Sequence, residues 1–123
     1  MTVLLVLVGG ALGAPLRYLT DLFVQARHDS VFPWGTFAVN VTGSLLLGGL
    51  AAAVTNAGAP QWLLTLAGTG FCGALTTFST FGFETVRLLE DGSWVEALAN
   101  VTVSLVAGLA AVFAGWALVS AVW

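Results

Sequence analysis

The sequence is short of charge, and the few charges are confined to a few places. Only 7% of its 123 residues are charged, Lys is absent, and three Arg are the only strong cations. Nucleic acid is therefore not an expected partner, because it is bound through clustered Lys and Arg. No Asp, Glu, Lys, Arg or His occurs from Ser30 to Phe83, so this part of the chain is expected to lie within a membrane.

Cysteine and histidine occur once each, which excludes disulfides within the chain and most metal-binding and catalytic sites that use these residues. Cys72 has no second cysteine with which to form an internal disulfide, and a small apolar role is expected for it. His28 lies among charged loop residues without a partner for ligation. We find no phosphate-binding motif and no metal-ligand spacing of His and Cys. The sequence therefore does not indicate an enzyme.

What the sequence has in excess is apolar surface. It is 59% hydrophobic with a mean hydropathy of +1.00, far from the balance of a soluble domain. At about 20 residues per spanning helix, the length accommodates four helices in one domain. The expected fold is an all-α membrane protein with four transmembrane helices, at about residues 2–23, 34–54, 61–88 and 95–121.

The first two spans carry small and polar residues at helical spacing. Gly9 and Gly13 form a GxxxG pair, which predicts a face that packs closely on a neighbouring backbone. Arg17 can pair with Asp21 one turn later at the end of the helix, or it can lie at a pore entrance. In the second span, Asn40 shares a polar stripe with Thr36, Gly43 and Ser44. Its amide can join two helices or donate to an anion.

The segment Gly68–Phe83 is too polar for a plain lipid-facing helix. Its sixteen residues include four Gly, four Thr and one Ser, which weaken a helix and offer hydroxyls to the backbone. We expect the third helix to break at mid-membrane depth. Helix breaks at that depth are where freed carbonyls and helix ends bind ions, so the segment is a candidate ion site.

The same segment resembles a known family. Gly-Phe-Cys-Gly-Ala-Leu-Thr-Thr-Phe-Ser-Thr-Phe, from Gly70 to Phe81, is similar to the third-helix signature of the CrcB/Fluc fluoride channels. The segments from Gly9 to Tyr18 and from Gly35 to Ser44 resemble the family's first and second helices in the expected order. The fourth helix matches a looser pattern, from which only a polar track involving Asn100 and Ser104 is carried over.

The resemblance implies a fluoride-selective channel in the plasma membrane that exports fluoride passively from the cytoplasm and lowers its toxicity. Phe78 and Phe81 would contact the ion through ring edges, which carry the positive part of the quadrupole. The other pathway donors would be Asn40, Ser79, Thr80 and Ser104, with Arg17 at the pore entrance. The resemblance further implies a structural, untransported Na⁺ held by the backbone carbonyls of Gly73 and Thr76. We expect Gly73 to permit a backbone geometry there that side chains forbid.

Four thin helices do not easily enclose a pore, so an oligomer is expected. The resemblance implies an antiparallel, dual-topology homodimer. The three Arg all fall on one predicted side of the membrane, which favours a single orientation. If Arg17 lies inside the pore, only two loop cations remain and the bias is weak. If it counts toward the bias, an oppositely oriented paralogue is the alternative partner.

Two other classes of protein remain as alternatives. A small four-helix proton-coupled exporter has a similar length, but it needs a carboxylate within the first span. This chain has none there before Asp21. A non-transporting membrane assembly subunit would explain the small residues, but not the hydroxyl and Phe content from Gly70 to Phe81.

Overall fold

The computed structural model describes residues 1–28 and 31–123, and the regular structure of these residues is helical. The elements in chain order are α1 (Thr2–Gln25), α2 (Trp34–Asn56), α3 (Gln61–Leu63), a π-helical segment (Leu64–Cys72), α4 (Gly73–Leu75), α5 (Phe78–Glu90) and α6 (Trp94–Val122). The predicted ends of the four spans lie within two residues of these bounds. Asp29 and Ser30, in the loop after the first span, lie outside the described residues.

Three helices, α1, α2 and α6, are long and apolar enough to cross a membrane. The third predicted span is divided into shorter pieces. Residues 61–75 are helical throughout, Thr76 and Thr77 have extended backbone, and α5 then continues for 13 residues. The predicted all-helical architecture with several spanning helices is therefore confirmed.

Close contacts between backbones hold α2 against α6. A Cβ added to Gly48 would overlap the carbonyl oxygen of Val112, and one added to Gly115 would overlap the carbonyl oxygen of Leu45. Small residues let two helix backbones approach where lipid offers no hydrophobic driving force between them. The long helix α6 is thereby fixed along α2.

Helix α1 packs on the third span in the same manner. A Cβ on Gly9 would overlap the carbonyl oxygen of Leu66, and one on Gly13 would overlap that of Phe71. The predicted GxxxG interface is therefore confirmed, and its partner is the π-helical segment. This contact brings the second half of α1, with Arg17, close to the end of α4, where the third span leaves the helical conformation.

Little of the chain is buried within a single copy. Val39 and Asn100 are the largest fully buried side chains, whereas Leu, Val and Phe side chains cover much of the outer surface of α1 and α6. Such a surface fits lipid or another subunit. Asn100 is the exception, because a buried amide requires partners.

Candidate functional site

Two threonines end one helix and begin the next. The backbone N–H and the hydroxyl of Thr76 both donate to the carbonyl oxygen of Cys72, each at 2.9 Å. Thr77 is extended, with φ −150° and ψ 121°, and its Oγ1 accepts from the N–H of Thr80 at 3.2 Å. Thr77 is therefore the N-cap of α5, a position for which threonine is well suited.

The side chain of Asn40 holds this point from α2. Its Nδ2 donates to the carbonyl oxygen of Thr77 at 3.0 Å, and its Oδ1 accepts from the N–H of Thr77 at 2.7 Å. One amide thus satisfies both backbone groups of a residue that has left the helix. In a continuous helix the N–H of Thr77 would donate to Gly73 instead. The carbonyl of Gly73 is therefore released from its helical donor.

Arg17 approaches the same point from α1. Its Nη1 donates to the carbonyl oxygen of Thr76 at 3.4 Å. Arg17 and Asp21 do not form the ion pair that was one of the two alternatives. Among the described residues, no ion pair joins them. The guanidinium reaches instead toward a carbonyl freed at the end of α4, where a cation is favoured.

Gly73 does not have the special backbone that we expected of it. Its φ of −61° and ψ of −36° are ordinary α-helical values that any residue can adopt. A Cβ at this position would approach nothing nearer than the carbonyl oxygen of Gly68, at 4.0 Å. The expectation that glycine permits a forbidden geometry here is wrong, and the extended backbone lies at Thr76 and Thr77 instead.

The two phenylalanines at the start of α5 lie side by side. The ring centroids of Phe78 and Phe81 are 5.8 Å apart, and the ring planes are tilted by 47°. Phe78 is 82% exposed in a single copy, while Phe81 is half-buried. The exposed ring of Phe78 is therefore available for contact with lipid or with another subunit.

An open groove of about 590 Å³ runs between α2, the third span and α6. Of the predicted site residues it collects Asn40, Gly73, Thr76, Phe78, Phe81 and Ser104. Its other lining residues are Gly43, Ser44, Leu47, Gly68, Thr69, Cys72, Thr77, Leu105, Gly108, Leu109 and Val112. No residue in either group carries a formal charge. Arg17, Ser79 and Thr80 do not line the groove.

Sequence reasoning missed three residues through which the third span forms hydrogen bonds to its neighbours. Thr77 is the residue that Asn40 holds, and the pair of β-branched residues before Phe78 was the available signal. Oγ1 of Thr85 accepts a hydrogen bond from Nδ2 of Asn100 at 2.8 Å. Glu84 accepts from the hydroxyl of Thr36 at 2.5 Å, although its sequence position suggested only a helix end.

Taken together, the fold and the groove define a multi-pass membrane protein with an open, uncharged groove beside an interrupted helix. Residues 4–116 match the family described as CrcB-like protein, Camphor Resistance (CrcB). The chain therefore belongs to the CrcB family.

Three relatives carry the name fluoride-specific ion channel FluC 1. The one from Frankia casuarinae is 56% identical over 128 residues, which cover 100% of this chain and 99% of the relative. The one from Streptomyces avermitilis is also 56% identical, over 123 residues that cover 100% and 99%. The one from Nocardia farcinica is 58% identical over 114 residues, which cover 93% and 78%.

Proposed function

We propose that this protein is a fluoride-selective channel through which fluoride leaves the cytoplasm passively. The observation that carries the proposal is the uncharged groove, in which Asn40, Ser104, Phe78 and Phe81 lie together. Its relatives over nearly the whole chain bear the name of fluoride-specific channels. The interruption at Thr76 and Thr77 would lie at mid-membrane depth.

The chemistry of the groove suits a small, strongly hydrated anion. Stripping water from such an ion is expensive unless other donors replace the water. A fixed cation in the pathway would hold the ion, whereas conduction requires that it also leave. Amide and hydroxyl donors with aromatic ring edges offer weaker, multiple contacts. The absence of charged residues from the groove lining is consistent with passage rather than retention.

We also propose that the groove is closed by a second copy of the chain in antiparallel orientation. The groove is open on one side, and Phe78 is 82% exposed beside it. Because Arg17 is directed to the carbonyl of Thr76, only Arg27 and Arg87 remain as loop or helix-end cations. That small bias is compatible with two orientations of one chain. An oppositely oriented paralogue remains the alternative partner.

A structural Na⁺ at the interruption is the third part of the proposal. The carbonyl of Gly73 lacks its helical donor, and the carbonyl of Thr76 has a second lone pair besides the one that accepts from Arg17. Carbonyl oxygens without donors need a partner within a membrane, and a hard monovalent cation is a suitable one. Na⁺ would contribute positive charge near the grooves of the two copies and hold the two subunits in register.

Fluoride efflux from proteoliposomes separates this proposal from its rivals. A channel carries net charge, so efflux of fluoride from vesicles loaded with KF should require a K⁺ ionophore to compensate that charge. A proton-coupled exporter that moves one proton with each fluoride would not need the ionophore. A non-transporting subunit would give no efflux in either condition. Efflux that is independent of the ionophore would overturn the channel assignment.

A further inference from the structure

A chain of three hydrogen bonds connects the backbone of α5 to a hydroxyl in the groove. The hydroxyl of Thr85 donates to the carbonyl oxygen of Phe81 at 2.8 Å. Nδ2 of Asn100 donates to Oγ1 of Thr85 at 2.8 Å. The hydroxyl of Ser104 donates to Oδ1 of Asn100 at 3.2 Å. Ser104 lines the groove, whereas Thr85 and Asn100 do not.

The direction of these bonds is fixed from one end. A backbone carbonyl can only accept, so the Thr85 hydroxyl must give its proton to Phe81 and offer a lone pair to Asn100. The amide of Asn100 must then place its nitrogen toward Thr85 and its oxygen toward Ser104. Ser104 is consequently left as the donor. Its proton is directed toward Asn100 and away from the groove.

Burial makes this arrangement hard to change. Asn100 is 1% exposed, so turning its amide would place its oxygen against the lone pairs of Thr85 Oγ1 and leave a buried acceptor without a donor. Buried polar groups in proteins are nearly always paired. The bond from Ser104 is the longest of the three and is slightly longer than the usual range for an O–H···O hydrogen bond. It is therefore the bond that an incoming anion can replace most easily.

We propose that Thr85 and Asn100 are positioning residues that orient the Ser104 hydroxyl and thereby set how tightly the groove holds fluoride. The inference rests on the proposed function, because it concerns an anion at Ser104. Fluoride can accept from Ser104 only when the hydroxyl turns away from Asn100. Asn100 thus competes with the anion for one proton, which weakens binding and favours release.

Thr85→Val tests the orientation of the Ser104 hydroxyl without removing that hydroxyl. Valine has nearly the shape of threonine but cannot accept from Asn100, so the amide is free to turn and to donate its Nδ2 hydrogen to Ser104. The Ser104 proton then faces the groove. The fluoride concentration that gives half-maximal flux should fall by about fivefold, which corresponds to one neutral hydrogen bond, while the maximal flux should not rise. Thr102→Val, at an exposed position on α6, is the matched control and should leave both quantities unchanged.

A double-mutant cycle shows whether the effect passes through Ser104. In a Ser104→Ala background, Thr85→Val should no longer change the half-saturating concentration, and the same should hold in an Asn100→Leu background. A shift that persists in Ser104→Ala would overturn the inference, as would a conducting Thr85→Val protein whose half-saturating concentration equals that of the wild type. Wild-type protein without fluoride flux would remove the proposed function and this inference together.

Discussion

Helix α2 packs closely on a different neighbour in each of its halves, and the two contacts depend on different interactions. Toward its C-terminal half, α2 meets α6 where Gly48 and Gly115 have no side chain to obstruct a backbone carbonyl. Toward its N-terminal half, α2 meets the third span where Asn40 bonds both backbone groups of Thr77. The first contact depends on shape alone, and the second depends on hydrogen bonds to backbone that a membrane cannot satisfy. The comparison teaches that the glycine contact fixes the fold, while the amide contact permits an interruption.

Gly48→Ala should produce the largest effect, because its Cβ would overlap the carbonyl oxygen of Val112. A rigid backbone cannot move aside as a side chain can, so we expect destabilisation of about 3 kcal/mol or more. The folded fraction after detergent extraction, measured by size-exclusion chromatography and thermal unfolding, checks this. Gly82→Ala is the control, since nothing lies within 4 Å of its added Cβ. A folded and stable Gly48→Ala protein would show that the α2 and α6 backbones are farther apart than described.

Asn40→Leu should have the next largest effect, because it removes two hydrogen bonds and leaves the backbone of Thr77 unpaired. We expect a loss of about 2 kcal/mol of stability and of fluoride flux. Asn40→Asp keeps an acceptor for the N–H of Thr77 but sets a carboxylate against its carbonyl, and it should also abolish flux. Asn56→Asp, at an exposed amide that bonds Ser120, is the matched control. Flux within a few-fold of wild type in both Asn40 variants would rule out the assigned role.

Phe78→Ile and Phe81→Ile should each reduce fluoride flux sharply, because isoleucine keeps apolar bulk and loses the ring quadrupole. Their effects on stability should differ, since Phe78 is 82% exposed in one copy and Phe81 is half-buried. Flux and thermal unfolding measured on the same preparations separate these two roles. Normal conduction by both variants would mean that the rings serve packing alone.

Gly73→Ala should have the smallest effect on the single chain, because its added Cβ meets only open space up to the carbonyl of Gly68 at 4.0 Å. If a second copy and Na⁺ approach this point as proposed, the variant should weaken the dimer and alter the dependence of flux on Na⁺. Replacing Na⁺ by a large organic cation should lower wild-type activity. Unchanged flux after exhaustive Na⁺ removal, together with a silent Gly73→Ala, would exclude the cation site.

The sequence predicted the helices and the Gly9 and Gly13 contact well, because apolar runs and small-residue spacing are local patterns. It also brought Asn40, Ser104 and the two phenylalanines into one candidate site. It did not predict that Asn40 would bond Thr77, or that Arg17 would turn to Thr76, since both are contacts between residues far apart in the chain. The composition of the Gly68–Phe83 segment indicated an interruption, but glycine content drew attention to Gly73. The threonines, through their hydroxyls and caps, determine where the helix stops.

The measurement that tests the central claim most directly is the efflux of fluoride and chloride from the same proteoliposomes. Purified wild-type protein is reconstituted into vesicles loaded with both potassium salts, and ion-selective electrodes follow each anion after a K⁺ ionophore is added. The account predicts rapid release of fluoride while chloride stays inside, because the uncharged groove offers small, closely placed donors. Equal release of both anions, or retention of both, would contradict it.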